Sequence, residues 1–255
     1  MPEEQSVDDR EIEYHERLYA GFAQRHFARP AVRELRRHMV SRVIRVTGAT
    51  AATRVLSLGC GIGDTELLLA EHAAQVVGLD LSPSAVRQAR ADAARAGRAN
   101  LRYIQGTITT AGLAPGSFDV VMAIFFLHHV PDGMLEALPR QIYELLAPGG
   151  RFYSLDPSRR RLSGAIGSVV VPKLMQKYQS PDERQLDART MAELFRRAAF
   201  ETRSEFYDFL SSPLAGLLPG WAWGYRLARR LDNAIIRVPI VCEFGSNFEV
   251  VARKL

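Results

Sequence analysis

Two hydrophobic rhythms divide this chain. From residue 10 to 46 apolar side chains recur at helical spacing: Ile12, Leu18 and Phe22, then Val32, Leu35, Met39, Val43 and Val46. Pro30 splits that stretch into two predicted helices. From Val55 onward the pattern changes to short, continuous apolar runs separated by helical segments. Val55–Leu58, Val76–Leu79, Asn100–Ile104, Ser117–Ala123 and Gly150–Leu155 read as strands, the apolar ones buried on both faces. Helical patterns begin at Leu67, run over Ser84–Ala96 and Met134–Leu146, and return over Thr190–Ala199. Pro139 suits a first turn better than a helix interior, so the regular part of the third is expected near it, with Pro148-Gly149-Gly150 ending it. Strand and helix in strict succession argue for a parallel sheet with helices on both faces.

After an irregular 157–186 stretch, Glu201–Phe209 and Asn247–Val251 read as the last two strands. The long connection from Ser211 to Gly245 lies between them. From Trp221 it turns helical, with Trp223, Leu227, Leu231, Ile235 and Val238 on one face and Arg226, Arg229, Arg230 and Arg237 among the rest. Such a helix either buries its apolar side as a lid on the sheet or lies on an anionic membrane surface.

The first strand ends in Gly59-Cys60-Gly61-Ile62-Gly63, and Asp64-Thr65-Glu66 opens a helix directly after it. Glycine suits a turn whose backbone angles exclude other residues and whose main chain lies against a ligand. The helix start adds free N–H donors there. The second strand stops on Asp80, about twenty residues beyond the turn, where a carboxylate can bond both hydroxyls of a ribose. Ser82 and Pro83 then start the next helix as cap and first residue. Ligands of such sheets sit beyond the carboxyl ends of the strands. Residues 56–64, 80, 105–108, 123–129 and 156 all fall at that edge.

Composition narrows the picture only a little. The chain has 255 residues, 47% of them hydrophobic, which fits one domain with added segments. No apolar run reaches transmembrane length, and the acidic start Met1-Pro2-Glu3-Glu4 is not that of a signal peptide. The two cysteines, Cys60 and Cys242, form no metal-ligand spacing, so no metal is expected, and a reduced, cytoplasmic setting is. A net charge of +5 permits anionic partners without naming one.

Four blocks in order, LSLGCGIG at 56–63, GLDLSPSAV at 78–86, SFDVVMAIFFLHHV at 117–130 and LAPGGRF at 146–152, resemble class I S-adenosylmethionine-dependent methyltransferases, most of all the small-molecule branch typified by quinone-biosynthesis enzymes. The resemblance covers roughly residues 50–155. It implies an α/β, Rossmann-like sheet, mostly parallel with the last strand antiparallel. It also implies an N-terminal helical lid segment over 1–50 and a catalytic domain over 51–255 carrying the 211–245 insertion. By the same resemblance S-adenosylmethionine is the cofactor, held by Ser57, Gly59, Cys60, Gly61, Gly63, Asp80, Leu81, Thr107, Ile108 and Ala123. Two departures stand out: the family commonly has acids where Ser57 and Thr107 stand. Asp64 is the nearby carboxylate that could compensate at the ammonium end.

Methyl transfer from a sulfonium asks mainly for alignment and exclusion of water. A general base helps where the acceptor is a hydroxyl or carbon acid, and His128, His129 and Asp156 are the candidates, with His15 behind them. The apolar 123–127 segment and the 211–243 stretch point to a hydrophobic or lipid-like acceptor and to peripheral contact with a membrane. A catalytically silent binding protein or a nucleic-acid methyltransferase are the alternatives. For the latter there is neither a basic stripe with interleaved aromatics nor an Asn/Asp-Pro-Pro-aromatic block, where this chain has Ala123-Ile124-Phe125-Phe126. A nicotinamide dehydrogenase would want glycine where Asp64 stands.

Overall fold

The computed structural model describes Glu16, His26 and residues 28–164 and 184–255. The predicted first helix with Tyr14, His15 and Tyr19, and the Val169–Val171 run, lie outside these residues. Among the described residues seven strands form: β1 Arg54–Leu58, β2 Gln75–Asp80, β3 Leu101–Gln105, β4 Phe118–Ile124, β5 Leu146–Pro157, β6 Phe200–Asp208 and β7 Asn247–Lys254. They make one sheet in the order β3-β2-β1-β4-β5-β7-β6. The first five are parallel, and β7 runs antiparallel to both β5 and β6. The expected antiparallel last strand is present, seated inside the sheet rather than at its rim.

The helices are α1 Pro30–Thr47, α2 Asp64–Leu69, α3 Pro83–Arg95, α4 Asp132–Leu145, α5 Ala188–Arg197, α6 Ser211–Leu217 and α7 Ala222–Ile235. Alternation along each strand feeds two cores. Val55, Val76 and Met122 pack with Leu35, Met39 and Val43 of α1 and Val86 of α3. Leu56, Val77 and Val121 pack with Leu135 and Ile142 of α4 and Phe195 of α5. Prolines at the first helical positions of α1 and α3 fit, because no N–H is needed there. The Ser82 hydroxyl caps α3 by accepting from the Ala85 amide at 3.1 Å.

Three expectations need correction. Helix α4 begins at Asp132 and carries Pro139 in its interior, with the Leu135 amide donating to the Pro131 carbonyl at 2.8 Å to start it. Buried Leu135, Leu138 and Ile142 hold the helix through the proline. The Pro-Gly-Gly segment does not cap α4; it is an irregularity inside β5, between the pairs Phe118–Leu146 and Val120–Arg151. Third, the 211–245 insertion folds as α6, α7 and a short 3-10 turn at Val241–Phe244, and α7 does not bury its apolar face. Trp223 is 62% exposed and Leu231 48%. Polar groups face inward instead. Asp232 accepts from the Leu210 and Ser211 amides at 2.8 Å, satisfying donors at the start of α6, and Arg229 donates to the Tyr207 carbonyl at 2.9 Å.

Helix α1 is tied to the far side of the sheet by charge. Arg42 donates from Nε to both oxygens of Glu249 at 3.0 Å, and Glu249 on β7 is 1% exposed. The Tyr153 hydroxyl donates to the same carboxylate at 3.2 Å. These bonds from Glu249 hold the Arg42 guanidinium above its ordinary pKa, against its burial. An outer arm of Arg42 reaches the half-exposed Glu205 at 2.8 Å. Breaking a buried pair leaves an uncompensated charge, whereas an exposed pair contributes little. Arg42→Met should therefore cost about 3 kcal/mol of stability in urea titrations, and Glu205→Ala less than about 1 kcal/mol; equal losses would contradict this division.

Candidate active site

The glycine turn sits at the carboxyl end of β1 and is latched from β2. Gly59, Gly61 and Gly63 have φ of 66°, 52° and 77°, in the left-handed region. The Gly61 amide donates to Asp80 Oδ2 at 2.7 Å, and the Ser82 amide donates to Asp80 Oδ1 at 2.9 Å. One carboxylate therefore fixes the turn and the start of α3 together. Space is as tight as conformation: a Cβ on Gly63 would lie 2.2 Å from the Tyr103 hydroxyl, which donates to the Gly63 carbonyl at 2.9 Å. A Cβ on Gly59 would meet the Phe126 ring at 2.2 Å.

Above this turn lies a cavity of about 380 Å³, a size ordinary for small-ligand sites. Of the ten residues expected to hold the cofactor, Gly59, Asp80, Leu81, Thr107 and Ile108 line it. Cys60, Gly61 and Gly63 shape the turn beneath it without lining it. Ser57 and Ala123 are buried in their strands. Burial pushes the Cys60 thiol well up, with Glu66 and Asp80 adding to the effect, so it stays protonated. The Thr107 hydroxyl bonds those of Thr109 and Thr110, at 2.9 and 3.1 Å, closing the turn after β3.

The far wall comes from the segment after β4. Phe125 has φ of 54°, rare for a non-glycine residue, and its amide donates to the Leu155 carbonyl at 2.7 Å. That strained residue turns the chain sharply, so that Phe126 covers Gly59 and the 3-10 turn Leu127–His129 faces the strand ends. The three candidate proton carriers separate here. His129 lines the cavity. His128 is 5% exposed, and its Nδ1 lies 2.9 Å from Oδ1 of the fully buried Asp156. The two imidazoles stand 4.0 Å apart. His128 and Asp156 thus support the turn from behind and do not line this cavity. The backbone N–H of Arg184 donates to the His128 carbonyl at 2.9 Å, and its side chain donates to the Val130 carbonyl at 3.0 Å, bracing the turn from outside.

Glu66 has no counterpart among the sequence candidates. It sits on α2, 3% exposed, and accepts from the Ser57 hydroxyl at 2.6 Å. A carboxylate thus stands beside the strand position where the resembled family commonly carries one, delivered from the following helix. A serine in place of an acid, with a glutamate one strand-to-helix step later, was the available signal. Asp64 is taken by an ion pair with Arg36 at 2.9 Å, and Arg36 also donates to the Thr65 hydroxyl at 3.1 Å, so α1 clamps the start of α2. Glu16 reaches the rim as well, accepting from the Ser82 hydroxyl at 2.6 Å and the Ser84 amide at 2.9 Å.

Residues 55–150 match a family model described as a methyltransferase domain. The chain is 29% identical to the demethylmenaquinone methyltransferase of Lactococcus lactis, over 60% of this chain and 68% of that protein. It is 33% identical to the ubiquinone biosynthesis O-methyltransferase of Idiomarina loihiensis, over 55% of this chain and 62% of that one. The match to the second thus spans less than two thirds of its length. Among solved structures, the putative methyltransferase of Haloferax volcanii, in complex with the activator Trm112, superposes with a TM-score of 0.63 at 20% identity, covering 97% of both chains. Residues 55–150 are thus similar to methyltransferase domains, and the chain resembles the methyltransferases named for quinone biosynthesis. The cavity fits S-adenosylmethionine: bare glycine backbone, a carboxylate at ribose position, and apolar walls at Leu81 and Ile108.

Burial raises the Glu66 carboxyl from 4.5 to about 7; Asp64 adds to this, and the Ser57 bond opposes it. The fold favours the protonated form, so this group's contribution is full below pH 4.5 and is lost as the pH rises through about 7. Glu66→Gln keeps an acceptor for Ser57 and cannot ionise. It should match the wild type near pH 4.5 and exceed it at pH 8 by up to about 3 kcal/mol. Urea unfolding at both values checks this, and a constant difference would contradict it.

Proposed function

We propose that this protein transfers a methyl group from S-adenosylmethionine to a small hydrophobic acceptor, with His129 receiving the acceptor's proton. The carrying observation is one continuous cavity wall running from Asp80 and Gly59 through Phe125 and Phe126 to His129. The bound cofactor supplies a methyl group already activated for displacement, with a neutral thioether as leaving group. The chain supplies the rest. Asp80 and the glycine turn fix the nucleoside's position. Phe125 and Phe126 offer apolar surface that excludes water and favours a hydrophobic acceptor. An imidazole with pKa near neutrality can hold the proton released as the new bond forms. His128, held by Asp156, is a positioning residue that fixes the turn bearing His129. The names of the quinone-biosynthesis relatives support an acceptor of this small, apolar kind.

The experiment is calorimetric titration with S-adenosylhomocysteine, followed by tritiated methyl transfer to a solvent-extracted pool of small molecules. Asp80→Ala should weaken the nucleoside by about 100-fold, as expected for losing charge-assisted bonds and the latch together. His129→Gln should lower kcat by about 100-fold on a hydroxyl acceptor while leaving nucleoside affinity within about threefold. Unchanged kcat in His129→Gln would remove the proton-transfer role.

The same hydrophobic chemistry extends to the insertion, which we infer rests on an anionic bilayer surface. Among the described residues, ten of the fourteen exposed large apolar side chains lie in 211–245, Ile240 at 76% exposure with φ of 69°. Exposed apolar ridges of this extent mark interaction surfaces. At about 100° per residue, Arg226 and Arg230 form a strip on α7 alongside Trp223 and Leu227, which suits acidic headgroups over an apolar interior. Both tryptophans of the chain, Trp221 and Trp223, lie on this ridge. Their emission should therefore shift to the blue with phosphatidylglycerol vesicles and not with phosphatidylcholine, and the shift should vanish in a Trp223→Asp, Leu227→Asp variant. Unmoved emission, or a dimer by sedimentation that buries the ridge, would refute it.

A further inference from the structure

A second cleft, of about 740 Å³, runs along the free edge of β6 between α1 and α7, away from the methyl-transfer cavity. Six arginines line it: Arg42, Arg45, Arg160, Arg189, Arg229 and Arg237. Its carboxylates are already engaged. Glu205 holds Arg42 at 2.8 Å, and Glu243 holds Arg160 and Arg189 at 3.0 and 2.7 Å. Asp187 caps α5 by accepting from the Arg189 and Thr190 amides. Arg45, Arg229 and Arg237 are left without a carboxylate partner among the described residues.

Arg229 is the unusual one. Its side chain is buried to 9% exposure, yet it meets only neutral oxygens, the Tyr207 carbonyl at 2.9 Å and the Asn233 side-chain oxygen at 3.1 Å, and its Nε has no partner. It lies 4.6 Å over the Tyr207 ring. A buried guanidinium without a counter-charge is costly, and so is one with an unmet donor. The neighbourhood feels the same field: half-buried His38 is pushed down to about 4, by its burial first and then by Arg229, Arg45 and Arg42. Phe206 and Ile236 line the cleft too, giving apolar wall for the organic part of a ligand.

We propose that this cleft binds a phosphate ester, its phosphoryl oxygens taken by Arg45, Arg229 and Arg237. Planar guanidinium forks match phosphate oxygens in pairs, and three of them, from α1, α7 and the turn after α7, can surround one group. Such a site stands apart from the nucleoside cavity and does not depend on the methyl-transfer reading. The phosphate could belong to a soluble metabolite or to a lipid headgroup, since α7 carries the apolar ridge on another of its faces.

The test is calorimetric titration of the full chain with glycerol 3-phosphate at low salt, repeated with an equal ionic strength of sodium chloride. Binding should be saturable, one per chain. It should weaken by about tenfold or more, as expected for lost charge-assisted contacts, in an Arg45→Ala, Arg237→Ala variant. Both side chains are exposed, so the variant should melt like the wild type. Arg229→Gln should abolish binding, and Arg226→Ala, Arg230→Ala should leave it intact. Vesicles containing phosphatidylglycerol, competed with glycerol 3-phosphate, separate the sources: displacement through the cleft indicates a headgroup site, and binding of the soluble ester alone indicates a metabolite site. Equal affinity in wild type and the Arg45→Ala, Arg237→Ala variant, or no saturable binding of either form, would overturn the proposal. S-adenosylhomocysteine affinity should stay unchanged throughout, so failure here leaves the methyltransferase assignment untouched.

Discussion

The hydrogen bond from the Gly61 amide to the Asp80 carboxylate is the constraint on which the rest depends. It joins the end of β1 to the end of β2 at the one place where both backbones must leave the sheet. Three alternate left-handed glycines need such a tie, because each loses more conformational freedom on folding than any other residue. With it, the turn becomes a rigid shelf, and the same carboxylate aligns the start of α3 through Ser82. A group that builds the shelf also faces the cavity above it.

The shelf is supported from below in a way that differs from the resembled family. Strand β1 offers a hydroxyl at Ser57, and α2 returns Glu66 to it at 2.6 Å. Placing the acid on the helix has a consequence. It is buried under the turn and, raised to about 7, sits near half-protonation at neutral pH. Arg36 of α1 stands close by through Asp64 and Thr65, so α1 and the glycine turn share one polar cluster.

Most of the sheet was legible because its signals are local and mutually consistent. Continuous apolar runs, a glycine turn and an acid at the end of β2 each require the same architecture, and all were found there. The misses arose where tertiary packing outweighed local preference. Pro139 stays inside α4 because buried leucines and Ile142 hold the helix on the sheet. Pro148-Gly149-Gly150 joined β5 as an irregularity, because Leu146 pairs with Phe118 of β4 before the regular register begins at Arg151. Among the site residues, periodicity could mark His128 and His129 together but not tell them apart. The strained turn at Phe125, whose angle no pattern announces, and the bond of His128 to Asp156 leave His129 at the cavity.

Helix α7 shows why amphipathicity alone does not fix orientation. Its sequence carries one apolar face, and burying that face would be the ordinary outcome. The donors at the start of α6 weigh against it. Leu210 and Ser211 present amides that must be satisfied where the chain leaves β6 in the interior, and Asp232 does so from the opposite side of α7. Tyr207 likewise requires a donor for its carbonyl and receives Arg229. An unsatisfied buried polar group costs about 1–3 kcal/mol, comparable to what a single half-buried leucine would return. Several such demands on one face therefore turn the helix outward. The apolar ridge and the arginine-lined cleft then share a cause: once its polar face was needed inside, α7 had to present leucine and tryptophan to whatever lies beyond the protein, and to bring Arg229 into the sheet's edge without an acid to meet it.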